Sequence, residues 1–309
     1  MSKRVLVIGE LNVDLIVSGL STLPVLGQEL VCTGLSRVLG SSSAIFSRAL
    51  AGVGAQVGFM GKVGDDENGR FMVGQLQELG IDTADVLVDP GTQTGITISL
   101  TYPGEKAQIT YPGSISAYRP EEVNLEAFAE YGHLHMASLY LQTGLRPAMP
   151  DLLLRAKALG LSTSLDPGWD PAGRWGEDLF EALEAVDILF LNEHEAKALG
   201  GETSADTALR DLADRVPVVL CKLGAGGAMM ALGRELDGVA AHRVTVLDTT
   251  GAGDSFDAGF IYRHVVERRS PVDALRFANA CGAIAVTRVG GASSVPSSTD
   301  VEAFLEGKR

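Results

Sequence analysis

The sequence predicts an α/β fold: a mostly parallel central sheet covered by helices on both faces, with a small second sheet standing off it. Three observations carry this. Short β-branched runs alternate with helix-like stretches along most of the 309 residues, the rhythm of a parallel sheet. The runs themselves are apolar throughout, as in strands buried on both faces. Two regions break the rhythm and alternate polar with apolar residues, as strands with one wet face do. The length suits one large domain or two modest ones. Residues 1–309 are read as a single domain, with a lid formed by insertions near 11–38 and 92–118.

The buried strands are expected at Val5–Ile8, Gln56–Met60, Leu134–Met136, Ser162–Leu165, Ile188–Leu191 and Val218–Lys222. Helical patterns fall at Ser43–Leu50, Gly69–Leu79, Asn124–Tyr131, Met149–Leu159, Glu193–Leu199, Thr203–Leu212, Ser255–Val266 and Val272–Val286. The lid is read from Leu11–Val17, Glu29–Val38, Thr92–Leu100 and Gln108–Tyr111, the last two joined by Tyr102-Pro103-Gly104-Glu105 as a hairpin turn.

Composition narrows the partners. A net charge of −14 with no basic stripe argues against nucleic acid. It leaves phosphate ligands open, because local N–H groups can override net charge. Cys32, Cys221 and Cys281 are distant and odd in number, which suggests neither a disulfide framework nor zinc and points to a reducing cytoplasm. The first apolar run is too short for a signal peptide or a membrane span.

The most informative stretch runs from Asp248 to Phe260: Asp-Thr-Thr-Gly-Ala-Gly-Asp-Ser-Phe-Asp-Ala-Gly-Phe. A glycine-rich turn before a helix leaves backbone N–H groups unpaired and pointing one way, a site for anions. Gly251, Ala252 and Gly253 would offer amides to a phosphate. Asp254, an acid in that anion site, would be the base that accepts the proton of an attacking hydroxyl. The plainer reading is a tight turn with an acid favoured at a helix start.

This segment resembles the C-terminal signature of the ribokinase-like carbohydrate kinases, the PfkB family, and the likeness runs over essentially the whole chain. Gly9-Glu10-Leu11-Asn12-Val13-Asp14 resembles the family's opening strand and Asn-x-Asp pair. Gly61-Lys62-Val63-Gly64-Asp65-Asp66-Glu67-Asn68-Gly69 is similar to its G-x-V-G-x-D-x-x-G turn. Leu191-Asn192-Glu193-His194-Glu195 is similar to its Asn-x-x-Glu motif, and Lys222-Leu223-Gly224-Ala225-Gly226-Gly227 to its nucleotide loop. The resemblance implies a three-layer α/β/α kinase with a β-sheet lid, ATP as phosphate donor and Mg²⁺. It implies that Asn12 and Asp14 hold sugar hydroxyls, with Gly40, Ser41, Ser42, Ala44 and Gln142 lining the same pocket. Lys222, Gly224, Gly226, Gly227 and Asn279 would border the nucleotide. Asp248, Thr250, Ala285, Arg288, Gly290 and Ser294 match the positions that hold a monovalent cation, K⁺, in the family.

Several of these positions have a simpler reading by residue type. Asn12 and Asp14 share one strand face and could grip adjacent hydroxyls, or could mark a strand-end turn. Asn192 and Glu195, three apart, fit a helix capping box; Glu195 could also order hydrated Mg²⁺ beside phosphates, with Asn192 close to them. The Lys222–Gly227 turn could be a plain hairpin, and 285–294 a surface turn. His133 and His135 read as structural, since no third metal ligand is evident. Trp169, in Asp166-Pro167-Gly168-Trp169-Asp170-Pro171, could pack or touch ligand.

Two positions depart from the family. Ser41 stands in place of a second glycine, and Ile45 in place of an asparagine that contacts substrate. Isoleucine cannot bond a hydroxyl, and Gln142 falls near a glutamate of ribose-acting members. Ribose is therefore not the default acceptor. The expected activity is ATP-dependent phosphorylation of a sugar or sugar-like alcohol. A nucleoside kinase, with Ile45 packing against a base, and a non-catalytic binding module are the alternatives. A homodimer through the lid sheet is expected from its exposed edge.

Overall fold

The computed structural model describes residues 3–102, 105–288 and 295–307. In chain order the strands are β1 Val5–Ile8, β2 Asn12–Ser18, β3 Gly34–Leu39, β4 Val57–Gly64, β5 Val86–Asp89, β6 Gly95–Tyr102, β7 Glu105–Tyr111, β8 His133–Ala137, β9 Ser162–Asp166, β10 Ile188–Asn192, β11 Val218–Lys222, β12 Ala228–Leu232 and β13 Glu235–Val239. The α-helices are α1 Ser42–Gly52, α2 Glu67–Gln77, α3 Ser114–Ala117, α4 Met149–Ala158, α5 Gly176–Leu183, α6 Glu193–Gly200, α7 Ala205–Leu212, α8 Ala252–Ile261, α9 Pro271–Ala285 and α10 Ser298–Leu305.

Nine strands form the main sheet, in the order β13-β12-β11-β10-β9-β8-β1-β4-β5. It is parallel from β5 to β11, and antiparallel only where β12 and β13 close the edge. Side chains alternate across each strand, which explains the unbroken apolar runs. Val5, Val7, Ile188 and Phe190 face one core with Phe256, Phe260 and Phe277. Leu6, Ile8, Leu189 and Leu191 face the other, with Leu152, Leu179 and Leu209. Helices close each core, so the three layers that the resemblance implies are helices, sheet and helices.

The second sheet has the order β3-β2-β6-β7. β2 pairs in parallel with β6, and the outer pairs are antiparallel. Its alternation is inverted relative to an ordinary surface sheet. Asn12, Asp14, Thr97 and Ser99, all on one face by register, are buried. On the opposite face Leu35, Ile109 and Tyr111 are 69%, 62% and 52% exposed. The polar face turns inward, its groups bonded to one another and Gly40 packed on Asn12 and Asp14.

Asp66 ties this sheet to the body. It caps α2 through the Gly69 N–H (2.7 Å) and accepts from the Thr94 N–H (2.8 Å), one residue before β6.

Some local readings change. Residues expected as a helix at Asn124–Tyr131 form a 3₁₀ segment, Leu125–Glu130, the tighter form usual in short connectors. The helix expected to reach Val266 is α-helical only to Ile261 and continues as a π-helix, Tyr262–Val266. β12, with sequence Ala-Met-Met-Ala-Leu, carries helix-favouring residues, and antiparallel pairing with β11 overrides them. β5, β13, α5 and α10 were likewise outside the expected elements. The turn residues Pro103 and Gly104 lie outside the described residues.

Candidate active site

α8 opens on Gly251, whose φ of 74° and ψ of 4° place it in the left-handed region that favours glycine. The turn before it is set by Asp248, whose Oδ1 accepts from the Thr250 N–H at 2.9 Å. The Ala252 N–H already donates to the Thr249 carbonyl at 3.3 Å. This corrects the expectation that Ala252 offers a free amide. Among the described residues, the amides of Gly251, Gly253 and Asp254 have no protein acceptor. They form an open helix N-terminus, suited to an anion.

Asp254 lies in that first turn. It keeps part of its surface accessible while lying deep among protein atoms, as a group at the floor of a cleft does. Burial is the main cause that pushes its carboxyl up to about 7; Lys222 opposes the rise, Asp166 and Glu10 add to it, and a Ser42 hydrogen bond opposes it. A carboxyl poised near neutrality suits a general base.

Asp254 and the residues that face it lie near the place where an open α/β sheet is expected to bind ligands. The chain winds from β1 to β4 and β5 on one side and later fills β8 to β11 on the other. The switch point falls between β1 and β8, at their carboxyl ends. Glu10 follows β1, and Ser138 and Gln142 follow β8.

Asn12 and Asp14 meet there as the strand spacing required. The Asn12 Nδ2 donates to Asp14 Oδ1 at 2.9 Å and to Thr97 Oγ1 at 3.2 Å, and Thr97 pairs with Thr110 at 3.0 Å. Gly40 packs directly on this pair: a Cβ added to it would stand 2.1 Å from Asp14 Oδ1 and 2.6 Å from Asn12 Nδ2. Gln142 is buried; its Nε2 donates to the Ala137 carbonyl at 2.6 Å, and its Oε1 has no partner among the described residues.

The two departures from the family pattern have different outcomes. Ser41 holds φ 74° and ψ 124°, a conformation costly for any residue with a Cβ. Its hydroxyl offsets that cost, donating to the Glu10 carbonyl at 2.5 Å and accepting from the Ala44 N–H at 3.2 Å as the cap of α1. Ile45 is 4% exposed within the apolar core. It does not present a surface on which a nucleoside base could pack.

Glu10 was not foreseen. It is buried, accepts from the Ser43 amide at 3.2 Å and from the Ser43 hydroxyl, and bonds the Ser138 side chain. Burial raises its carboxyl above the usual range despite these donors.

The nucleotide-side residues converge in part. Lys222–Gly227 is the β11–β12 hairpin turn, with Gly224–Gly226 as a 3₁₀ turn. Gly227 has φ 95°, and a Cβ there would meet the Val239 carbonyl at 2.0 Å. Asn279 on α9 reaches the same segment, its Nδ2 donating to the Ala240 carbonyl at 2.9 Å. Gly227, 239–241 and Asn279 therefore form one wall.

Lys222 departs from the expectation. Its ammonium points away from the glycine turn into a buried ion cluster with Asp166 and Asp257.

Asn192 and Glu195 form the capping box of α6: the Glu195 N–H donates to Asn192 Oδ1 at 2.9 Å, and the Asn192 N–H to Glu195 Oε2 at 2.8 Å. Burial pushes Glu195 up to about 7, and Asp166 adds to the rise. The expected monovalent-cation positions are brought together as far as they are described. The Leu247 and Asp248 amides donate to the Val286 carbonyl (2.8 and 3.3 Å), and Arg288 N–H donates to the Ala285 carbonyl at 3.4 Å. Gly290 and Ser294 lie outside the described residues.

His133 and His135 are structural. They share the Ser164 hydroxyl at 2.8 Å each, His133 also bonds Ser162, and His135 stacks on Phe46. Among the described residues no group of His, Cys, Asp and Glu could hold a metal ion on protein ligands alone. Trp169 is 54% exposed and packs edge-on against Trp175.

A buried polar face, an open helix N-terminus and a carboxyl near neutrality are features that a phosphotransferase with an alcohol acceptor requires. The chain belongs to the pfkB family of carbohydrate kinases, whose model matches residues 2–298. It is 35% identical over 272 residues to the ATP-dependent ribose-1-phosphate kinase of Halopiger xanaduensis, covering 86% of each chain. It is 29% identical to a fructokinase of Vibrio alginolyticus, over 88% of this chain and 93% of that one. A solved Escherichia coli protein assigned as ribokinase II, in complex with ATP and Mg²⁺, superposes with a TM-score of 0.87 at 25% identity, covering 99% of this chain and 100% of that one.

Asp166 and Asp257 could have been found from sequence. Asp257 lies three residues after Asp254, on the same helix face, and Asp166 ends a buried strand. Thr97 and Glu10 carried no such signal.

Proposed function

We propose that the chain transfers the γ-phosphoryl group of ATP to a hydroxyl of a sugar or sugar-like small molecule in the cytoplasm. The observation that carries this is Asp254: a carboxyl raised to about 7 in the first turn of α8, facing Lys222 from β11, Glu10 beyond β1 and Ser42 at the start of α1. Asn12 and Asp14 orient the acceptor, with Thr97 and Gln142 beside them. Asp254 takes the hydroxyl proton as the oxygen attacks. The Gly251, Gly253 and Asp254 amides hold the negative charge of the transferring group. Catalysis is then mostly positioning and electrostatics.

The residues present fit Mg²⁺. Glu195 is a hard oxygen donor, its Oε2 is used by the capping box, and repulsion from Asp166 favours a cation nearby. Glu195 would hold the ion through water, with Asn192 towards the phosphates. Bound there, Mg²⁺ would neutralise phosphate charge. A monovalent cation held by Asp248, Thr250, Ala285 and Arg288 backbone or side-chain oxygens, with Gly290 and Ser294, would stiffen the turn before Gly251. The exposed apolar face of the small sheet, with Leu35, Ile109 and Tyr111, suits a second copy of this chain and a homodimer.

The test is a screen of sugars, sugar phosphates, polyols and nucleosides with ATP and mass detection of the product, run on the wild type and Asp254→Asn. The variant is expected to bind ATP normally and to lose turnover by at least ~10²-fold. Near-normal turnover would refute the role of Asp254. Acceptor binding with no phosphorylated product from any compound would refute the kinase reading.

A further inference from the structure

The ammonium of Lys222 lies 2.7 Å from Asp166 Oδ2 and 3.1 and 3.0 Å from the two carboxylate oxygens of Asp257. Asp166 ends β9, and Asp257 stands one turn beyond Asp254 on α8. A Cβ added to Gly253 would be 3.4 Å from the same ammonium. The charge therefore sits directly against the first turn of α8, beneath the amides that face the phosphoryl site. Nothing in the proposed chemistry requires a lysine there as a nucleotide ligand.

The charges in the cluster can be ordered. Burial works to raise Asp166, but Lys222 and the hydrogen bonds with Asp257 and the Gly168 N–H together outweigh it and hold that carboxyl below its usual value. Burial pushes Asp257 well up, and the two carboxyls hydrogen-bond to each other. Lys222 is held protonated by both carboxylates against the effect of burial. Asp254 is faced by Lys222 from β11, Asp166 from β9, Glu10 beyond β1, Ser42 from α1 and Asp257 on its own helix. Lys222 is faced in addition by Glu195 from α6, His135 from β8 and the Phe190 ring of β10 at 6.0 Å. It is the one cation among these groups.

We infer that Lys222, pinned by Asp166 and Asp257 beneath the first turn of α8, is a positioning residue that supplies the positive field in which Asp254 works as a base. The inference rests on the assignment of Asp254 made above. An opposite charge at such range favours an ionised carboxyl, and removing it does the reverse.

The test is the pH profile of kcat/KM for the best acceptor, with KM for ATP measured in parallel. Lys222→Met is expected to move the acid limb up by about one pH unit or more, with KM for ATP changed less than about threefold. Lys222→Arg keeps the charge and is expected to leave the limb in place. Asp166→Asn removes an anion facing Asp254 and is expected to move the limb down.

Opposite movements from Lys222→Met and Asp166→Asn are not what general loosening produces. Should Lys222→Met fail to fold, Lys222→Arg and Asp166→Asn still decide the matter. An unmoved limb with a strongly raised KM for ATP in Lys222→Met would overturn the inference and make Lys222 a nucleotide ligand. An unmoved limb in both Lys222→Met and Asp166→Asn would reduce the cluster to a structural ion pair. If Asp254→Asn itself keeps turnover, the assignment of the base fails, whatever the limb does.

Discussion

Asp254→Asn is expected to make the protein more stable as well as inactive. The carboxyl rises from 3.8 in a free chain to about 7 in the folded one, chiefly through burial. That difference corresponds to on the order of 4 kcal/mol at about 1.4 kcal/mol per pH unit. The folded state binds the proton more tightly, so this group's favourable contribution is complete below pH 3.8 and is lost as pH rises through about 7. Above that, the ionised carboxyl is a net cost. Asparagine keeps the shape and cannot ionise. Allowing for partial exposure of Asp254 to solvent, a gain of about 1–3 kcal/mol is expected at pH 8, with little or none near pH 4.

The assay is urea unfolding of both proteins between pH 4 and pH 8.5, without nucleotide. Midpoints should coincide at the acid end and separate as pH rises, while turnover falls by at least ~10²-fold. Equal midpoints at pH 8 would refute the argument that Asp254 is held in a desolvated site. A gap that widens towards acid would refute its sign.

Three further outcomes follow from particular contacts. Gly40→Ala places a methyl 2.1 Å from Asp14 Oδ1; acceptor KM should rise by about tenfold or more with ATP affinity unchanged, checked by steady-state kinetics. Ser41→Ala keeps the strained φ of 74° but loses bonds to Glu10 and Ala44; a loss of about 1–2 kcal/mol is expected by denaturant titration, with Ser41→Gly recovering part of it. His133 and His135 are held neutral by burial, each pushed down from 6.5 to about 3. Their stabilising effect is complete above pH 6.5 and is lost as pH falls towards 3. His133→Gln should flatten the decline of the unfolding midpoint between pH 6.5 and 4.

Much of the fold was legible because burial on both faces leaves a local trace. Val5–Ile8 and Val218–Lys222 appear at their expected limits, since an apolar run of that length has few alternatives. The start of α6 at Glu193 was readable from the Asn192 and Glu195 capping box, and α1 begins one residue before its expected start at Ser43. β12 was not, because its residues favour helix and only its pairing with β11 makes it a strand. The π-helical continuation of α8 leaves no periodic signal either.

In the site, the same contrast holds between local and distant partners. Asn12 with Asp14, Asn192 with Glu195, and Gly251 with Asp254 are close in sequence, and strand or helix geometry alone brings them together. Lys222 misled for the opposite reason. Its neighbours in sequence are the glycines of the turn, while its partners lie 56 and 35 residues away. Nothing in the local pattern tells which way a lysine at the end of a strand will point.

The sequence by itself determined the groups on offer: an acid in a glycine-rich turn at a helix start, an amide and a carboxylate on one strand face, and an α/β frame to carry them. These depend on short-range geometry that a few neighbouring residues enforce. Only the tertiary structure decided the electrical setting. Burial raised Asp254 and Glu195 towards 7, brought Glu10 and Asp166 to bear on the base, drew Lys222 beneath α8, and placed Ile45 in the core instead of the pocket. Desolvation and long-range charge depend on what packs around a group, and that is set by strands and helices far apart in the chain.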